Sequence, residues 1–250
     1  MEQIDVLGTK FHNITLAQAV EQPKEWLAQG GLHTVVTPNP EFILQGQQDT
    51  EFQSILNAAT LVIPDGIGVI YSAKLLGTPL QERVAGIDFA TALLQTLAER
   101  GGSIFLLGAK DGVAAQAGEN ICNQYQGLVL AGTHHGYFKQ DQEEEIANIV
   151  RETNPDVIFV CLGAPRQEKF IAQWGETMGV TIAIGLGGVL DVYAGTVERA
   201  PQWWIDHHLE WLYRLKKEPW RWKRMAKLPI VLLQAIKIRL FGKPKQSVKP

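Results

Sequence analysis

Two cysteines in 250 residues, Cys122 and Cys161, are too few for a disulfide framework, and neither sits at a metal-binding or redox spacing. Cys161 lies inside an apolar run and reads as a small core residue. No run of about 18 apolar residues occurs, so no segment reads as a membrane span. Met1 to Lys10 carries Glu2 and Asp5 without an apolar centre, which is not a leader pattern and points to the cytoplasm. The Walker lysine pattern and the full G-x-G-x-x-G fingerprint are missing. So are D-x-D, H-E-x-x-H and C-x-x-C, and His207 and His208, being adjacent on a helix, point to different faces. No metal site and no cofactor are therefore expected.

Charge is scarce in one sense and concentrated in another. The net charge is −3, yet 12 of the 23 Lys and Arg residues lie between Arg214 and Pro250, beside a single acid, Glu218. An acidic body with a basic tail implies an anionic partner for the tail, either phosphates or a membrane surface.

The composition, 46% hydrophobic and 20% charged, is that of a globular protein. Apolar runs at Leu32–Thr37, Leu61–Ile63, Ser103–Leu107, Leu128–Ala131, Asp156–Leu162 and Val180–Ile184 alternate with helical patterns. That alternation predicts an α/β, Rossmann-like fold: a mostly parallel sheet of about six strands with helices on both faces. The first helix, Leu16–Gln29, is amphipathic but expected to break at Pro23. Residues 1–200 are expected to form one domain. Beyond Pro201 the character changes, with five of the seven tryptophans (Trp203, Trp204, Trp211, Trp220 and Trp222) and a predicted helix over Gln202–Lys217. Ile230 to Phe241 is apolar but too short to span a bilayer. Residues 201–250 thus read as a basic, Trp-rich helical appendage that lies in a membrane interface or packs on its own domain or a partner subunit, with Lys243–Pro250 a disordered end.

In an open α/β sheet ligands bind at the carboxyl ends of the strands. The residues there are Thr37 and Asn39, Asp65, Gly108 and Asp111, and Arg166, Gln167 and Glu168. Asp65 reads either as a turn or N-cap residue or as an acid placed for chemistry. Glu168 is expected to face its own helix. Gly108-Ala109-Lys110-Asp111-Gly112 either holds a phosphate on its amides or only makes a turn. Gly187, with Asp191 beyond it, is a second close-approach site, for a nucleotide or for helix packing. Arg83, Arg166, Lys169, Arg214, Arg221 and Arg224 are the cations available to neutralise a diphosphate.

The ordered motifs Thr37-Pro38-Asn39-Pro40, Pro64-Asp65-Gly66, Glu82-Arg83-Val84-Ala85-Gly86, Phe105-Leu106-Leu107-Gly108 and Gly163-Ala164-Pro165-Arg166-Gln167-Glu168 resemble those of the WecG/TagA/CpsF glycosyltransferases. The resemblance continues through Gly187-Gly188 and Ala194–Pro201 to Trp211-Leu212-Tyr213-Arg214-Leu215 and Glu218-Pro219, Arg221-Trp222. It implies an inverting, metal-independent hexosyltransferase that moves a sugar, N-acetylmannosamine in the best-known members, from a UDP-sugar to a polyprenyl-diphosphate-linked acceptor. The acceptor would be N-acetylglucosaminyl-diphospho-undecaprenol or similar, in cell-wall or surface polysaccharide synthesis. The enzyme would sit peripherally on the inner face of the cytoplasmic membrane. The implied roles are Asp65 as general base, Thr37 and Gln167 on the sugar and Asn39 lining the pocket. Arg83, Arg214, Arg221 and Arg224 would engage diphosphate, with Gly187 and Asp191 beside the nucleotide. No nucleic-acid partner is expected, and self-association is left open. A different UDP-hexose or uronic acid, a nicotinamide-dependent oxidoreductase and a non-enzymatic, membrane-docked nucleotide-binding adaptor are the alternative readings.

Overall fold

The computed structural model describes residues 1–219, 222 and 226–242. The chain opens with an antiparallel hairpin, β1 (Gln3–Val6) and β2 (Thr9–His12), which was not among the expected elements. The six expected strands follow: β3 (His33–Val36), β4 (Leu61–Val62), β5 (Ser103–Gly108), β6 (Val129–His134), β7 (Val157–Cys161) and β8 (Ile182–Gly185). They form one sheet in the order β4-β3-β8-β7-β5-β6, every neighbouring pair parallel.

The central strands are apolar throughout because both faces are covered. Ile104, Leu106, Val157, Phe159, Ile182 and Ile184 point to one side. There they meet α1 (Leu16–Gln29), α5 (Gly86–Arg100) and α6 (Val113–Gln124). Phe105, Leu107, Ile158, Val160 and Ala183 point to the other, against α7 (Glu143–Thr153) and α8 (Arg166–Met178). Each buried Phe or Ile contributes about 1.5–3 kcal/mol. Beyond β3, the second face is covered by α2 (Pro40–Gly46), α3 (Thr50–Ala58), α4 (Ile67–Leu76) and the hairpin. Short helix α9 (Val189–Tyr193) follows β8.

Two local expectations fail for identifiable reasons. Pro23 does not break α1, although it forfeits one intrahelical bond. A Thr15–Gln18 capping box starts that helix, and buried Ala19, Pro23 and Trp26 anchor it. The single helix expected over Gln202–Lys217 is two, α10 (Gln202–Asp206) and α11 (Glu210–Lys217). His208, in the left-handed conformation at φ 59°, separates them.

The last described helix, α12 (Lys227–Phe241), contains the apolar Ile230–Phe241 segment, its Pro229 falling in the first turn where no amide is needed. It packs on α4 and α2. Val231 and Ala235 are fully buried, and a side chain at Gly68 of α4 would collide with Leu228. The opposite face of α12 is apolar and open: Leu233, Leu240 and Phe241 are 65%, 69% and 81% exposed. Among the described residues no helix is long and apolar enough to cross a membrane. Lys243–Pro250, expected to be disordered, lies outside the described residues.

The hairpin is tied to the sheet by His12, whose Nδ1 accepts from the Val62 amide at 3.0 Å. Burial holds the ring's pKa below the ordinary histidine value. As pH falls the unfolded chain takes up the proton first, so the stabilisation from neutral His12 is intact above about 6.5 and is lost as pH drops through the depressed native value. Thermal melts between pH 7.5 and 5 are expected to show a shallower acid-side loss in a His12→Gln variant than in the parent chain. Equal slopes would remove His12 from the acid response.

Candidate active site

The strand order reverses between β3 and β8, and a cavity of about 450 Å³ opens there at the carboxyl edge of the sheet. Thr37, Asn39, Asp65, Arg83, Gln167, Gly187, Asp191 and Arg214 all line it. Residues from position 37 to position 214 thus converge on one crevice.

Asp65 is not a helix cap. Gly66 is the N-cap of α4, at φ 94° that a side-chain-bearing residue adopts only with strain, and no side chain caps that end. The Asp65 backbone N–H donates to Pro38 O at 3.2 Å, and its carboxylate accepts from the amide of Gly86, the first residue of α5. Burial pushes its pKa up to about 6, against the pull of Arg83 and Arg214 and with a further push from Glu210. A carboxylate in that range is ionised at neutral pH and more basic than a solvated one, which suits proton abstraction.

Asn39 caps α2, its Oδ1 accepting from Glu41 N at 2.8 Å and Phe42 N at 3.4 Å. The Thr37 hydroxyl donates to Gly185 O at 3.4 Å and keeps its lone pairs for an acceptor role. Gln167, 1% exposed, is a tie between loops: its Oε1 accepts from Gly163 N at 3.1 Å and Gly187 N at 3.0 Å. Its Nε2 donates to Glu168 Oε1 at 2.6 Å. Glu168 does not simply face its own helix as expected. It is buried under the crevice against Gly185, where an added Cβ would lie 2.9 Å from Glu168 Oε1. Burial lifts its pKa to about 7, and its Oε2 has no hydrogen-bond partner among the described residues.

The cation candidates divide. Arg83 and Arg214 face the cavity and share a carboxylate that the strand-end argument missed, Glu210 of α11. Glu210 Oε2 lies 3.4 Å from Arg83 Nη2 and Glu210 Oε1 lies 3.0 Å from Arg214 Nη2. Its i,i+4 spacing from Arg214 was the available signal. Arg166 is committed elsewhere: it donates to Gly136 O at 2.9 Å and Phe138 O at 2.7 Å and stacks over the Phe138 ring. Lys169 pairs with Asp49 and Glu51 at 2.9 and 2.6 Å. Arg221 and Arg224 lie outside the described residues.

The nucleotide candidates divide likewise. Gly187 and Asp191 line the cavity, and the Asp191 main-chain carbonyl accepts from Thr196 Oγ1 at 2.9 Å. Gly108 does not line it. A Cβ there would stand 2.4 Å from Cys161 O, so that glycine serves the close approach of β5 to β7. Asp111 is exposed and away from the cavity. Cys161 is buried at the cavity wall with its thiol pushed up to about 12, and acts as packing. Among the described residues no group of three or more His, Cys, Asp or Glu side chains is arranged to hold a metal ion.

The crevice therefore offers one raised carboxylate, two guanidiniums, a hydroxyl and an amide, a set suited to moving a proton while negative charge is stabilised opposite. A protein of Bacillus spizizenii named N-acetylglucosaminyldiphosphoundecaprenol N-acetyl-beta-D-mannosaminyltransferase is 39% identical over 203 residues, 81% of this chain and 78% of its own. A Staphylococcus aureus (strain MW2) protein of the same name is 31% identical over 249 residues, 99% of this chain and 95% of its own. With the glycosyl transferase WecG/TagA/CpsF family matching residues 4–245, the chain belongs to that family, and of the activities left open by the sequence it performs glycosyl transfer.

Proposed function

We propose that the enzyme transfers N-acetylmannosamine from a UDP-sugar to N-acetylglucosaminyl-diphospho-undecaprenol, with inversion at the anomeric carbon. The names of the two relatives support this choice of sugar and acceptor. The observation that carries the mechanism is Asp65, a carboxylate raised to about 6 in a cavity shared with Arg83 and Arg214. Asp65 takes the proton of the acceptor hydroxyl as that oxygen bonds to the anomeric carbon. The bond from that carbon to the diphosphate oxygen breaks, and the electron pair leaves with UDP, whose charge Arg83 and Arg214 stabilise. Thr37 and Asn39 line the sugar side, and Gly187 and Asp191 the nucleotide side.

Residues 1–200 supply the sheet and the base, and residues 201–250 bring the enzyme to its lipid-linked acceptor at the inner face of the cell membrane. The open apolar face of α12, with Tyr71 and Leu75 of α4 also exposed, is suited to the headgroup boundary, and Lys237 and Arg239 to lipid phosphates. A panel of UDP-sugars with a short-chain lipid-diphosphate acceptor, read by mass spectrometry and an epimer-resolving separation, is expected to give an N-acetylmannosaminyl product. A product from another UDP-sugar alone would transfer the reading to that sugar.

A further inference from the structure

Glu210 is 8% exposed and holds two guanidiniums at once, one on each oxygen. Arg83 belongs to the segment between α4 and α5, whereas Glu210 and Arg214 stand on α11, 127 residues away from Arg83 in sequence. The carboxylate therefore joins the terminal helices to the sheet at the cavity itself. It does so beside Asp65, an arrangement of two carboxylates that is unfavourable unless cations balance it. Asp65, Glu210, Arg83 and Arg214 sum to zero charge. A diphosphate brings at least two negative charges, and with Glu210 still paired those charges meet guanidiniums already neutralised.

Resting on the glycosyl-donor reading above, we propose that Glu210 is a stand-in anion: its carboxylate holds Arg83 and Arg214 between turnovers and yields them to the substrate diphosphate. The 3.4 Å link to Arg83 is the weaker of its two bonds and gives way first. Guanidiniums bind phosphate oxygens in the same forked manner as carboxylates, so the exchange needs no rearrangement of the arginines beyond their side chains. Release of Glu210 also loosens α11 from the sheet, which couples departure of the diphosphate to re-clasping of the helix. Such a stand-in lowers affinity for the donor and for UDP alike, and so favours product release.

The test compares UDP binding by the full-length parent chain and a Glu210→Gln variant, by isothermal titration at low ionic strength. The variant is expected to bind UDP about tenfold more tightly, the low end of couplings between close charges. A second readout separates this role from simple packing. The charged groups acting on Asp65 are Arg83, Glu210 and Arg214, so losing the Glu210 charge is expected to move the acid limb of kcat/KM to lower pH. Glu210→Asp, which keeps the charge on a shorter stem that does not span both arginines, is expected to tighten UDP binding by a smaller factor, and serves if the Gln variant does not fold. Unchanged or weaker UDP binding by the variants overturns this proposal alone. A parent chain that binds no UDP overturns the donor reading and the proposal together.

Discussion

Asp65→Asn is expected to bind UDP at least as tightly as the parent chain and to transfer sugar about 10²- to 10⁴-fold more slowly, the range for loss of a positioned general base. The substitution keeps the shape and one acceptor oxygen for the Gly86 amide, so its effect isolates proton abstraction. In the parent chain kcat/KM is expected to rise with pH through about 6, where the half-buried carboxylate ionises. That limb should vanish from the residual activity of the variant. Stability moves the opposite way. The native pKa lies above the unfolded value of about 3.9, so the native state binds the proton more tightly, and the stabilisation this brings is full below the unfolded value and lost as pH rises through 6. At pH 7 the ionised Asp65 is a burden on the fold, and the Asn variant is expected to melt higher, by about 2–4 °C for each kcal/mol relieved. Transfer near the parent rate would remove Asp65 from the role of base.

Ending the chain after Ala200 is expected to abolish transfer and binding to anionic vesicles together. The cut removes Glu210, Trp211, Arg214 and Leu228 from the cavity wall and the open apolar face of α12 from the surface. It also uncovers apolar surface on α2 and α4 that Val231 and Ala235 cover, so the remaining domain should melt at a lower temperature than the full chain. Circular dichroism would report the fold, vesicle co-sedimentation the membrane contact, and UDP release the chemistry. Full activity in the shortened chain would show that the terminal helices are not part of the site.

The sheet was legible because parallel strands buried on both faces become continuous apolar runs, as in Val157–Cys161. The β1–β2 hairpin was not: Gln3–Val6 buries only Val6, so its composition carries no core signal. The strand-end rule gathered Thr37, Asn39, Asp65 and Gln167 into one place, since topology alone fixes which edge they share, although Gly108 and Asp111, named by the same rule, stand away from the cavity. It failed for charges. Arg166 and Lys169 have the same chemistry as Arg83, and only the fold decides that the first braces residues 136–138 while the second pairs with Asp49 and Glu51 on α3 and its cap. Glu210 was hidden for a different reason. A continuous helix through His208 would have aimed it elsewhere, and the left-handed turn there could not be read from two adjacent histidines.

The sheet ends on one side at β4, a strand of only two residues, whose Val62 amide is taken by a ring nitrogen from the hairpin. An outer strand with unoccupied amides and carbonyls is a template on which further chains add, and sheets are protected from such growth by shortness and by cover. Here β4 is short, and its cover rests on one histidine. Acid that protonates His12 takes away the acceptor for that amide, so as pH falls through the ring's depressed native value this edge is expected to become adhesive, with a rise in light scattering as its sign.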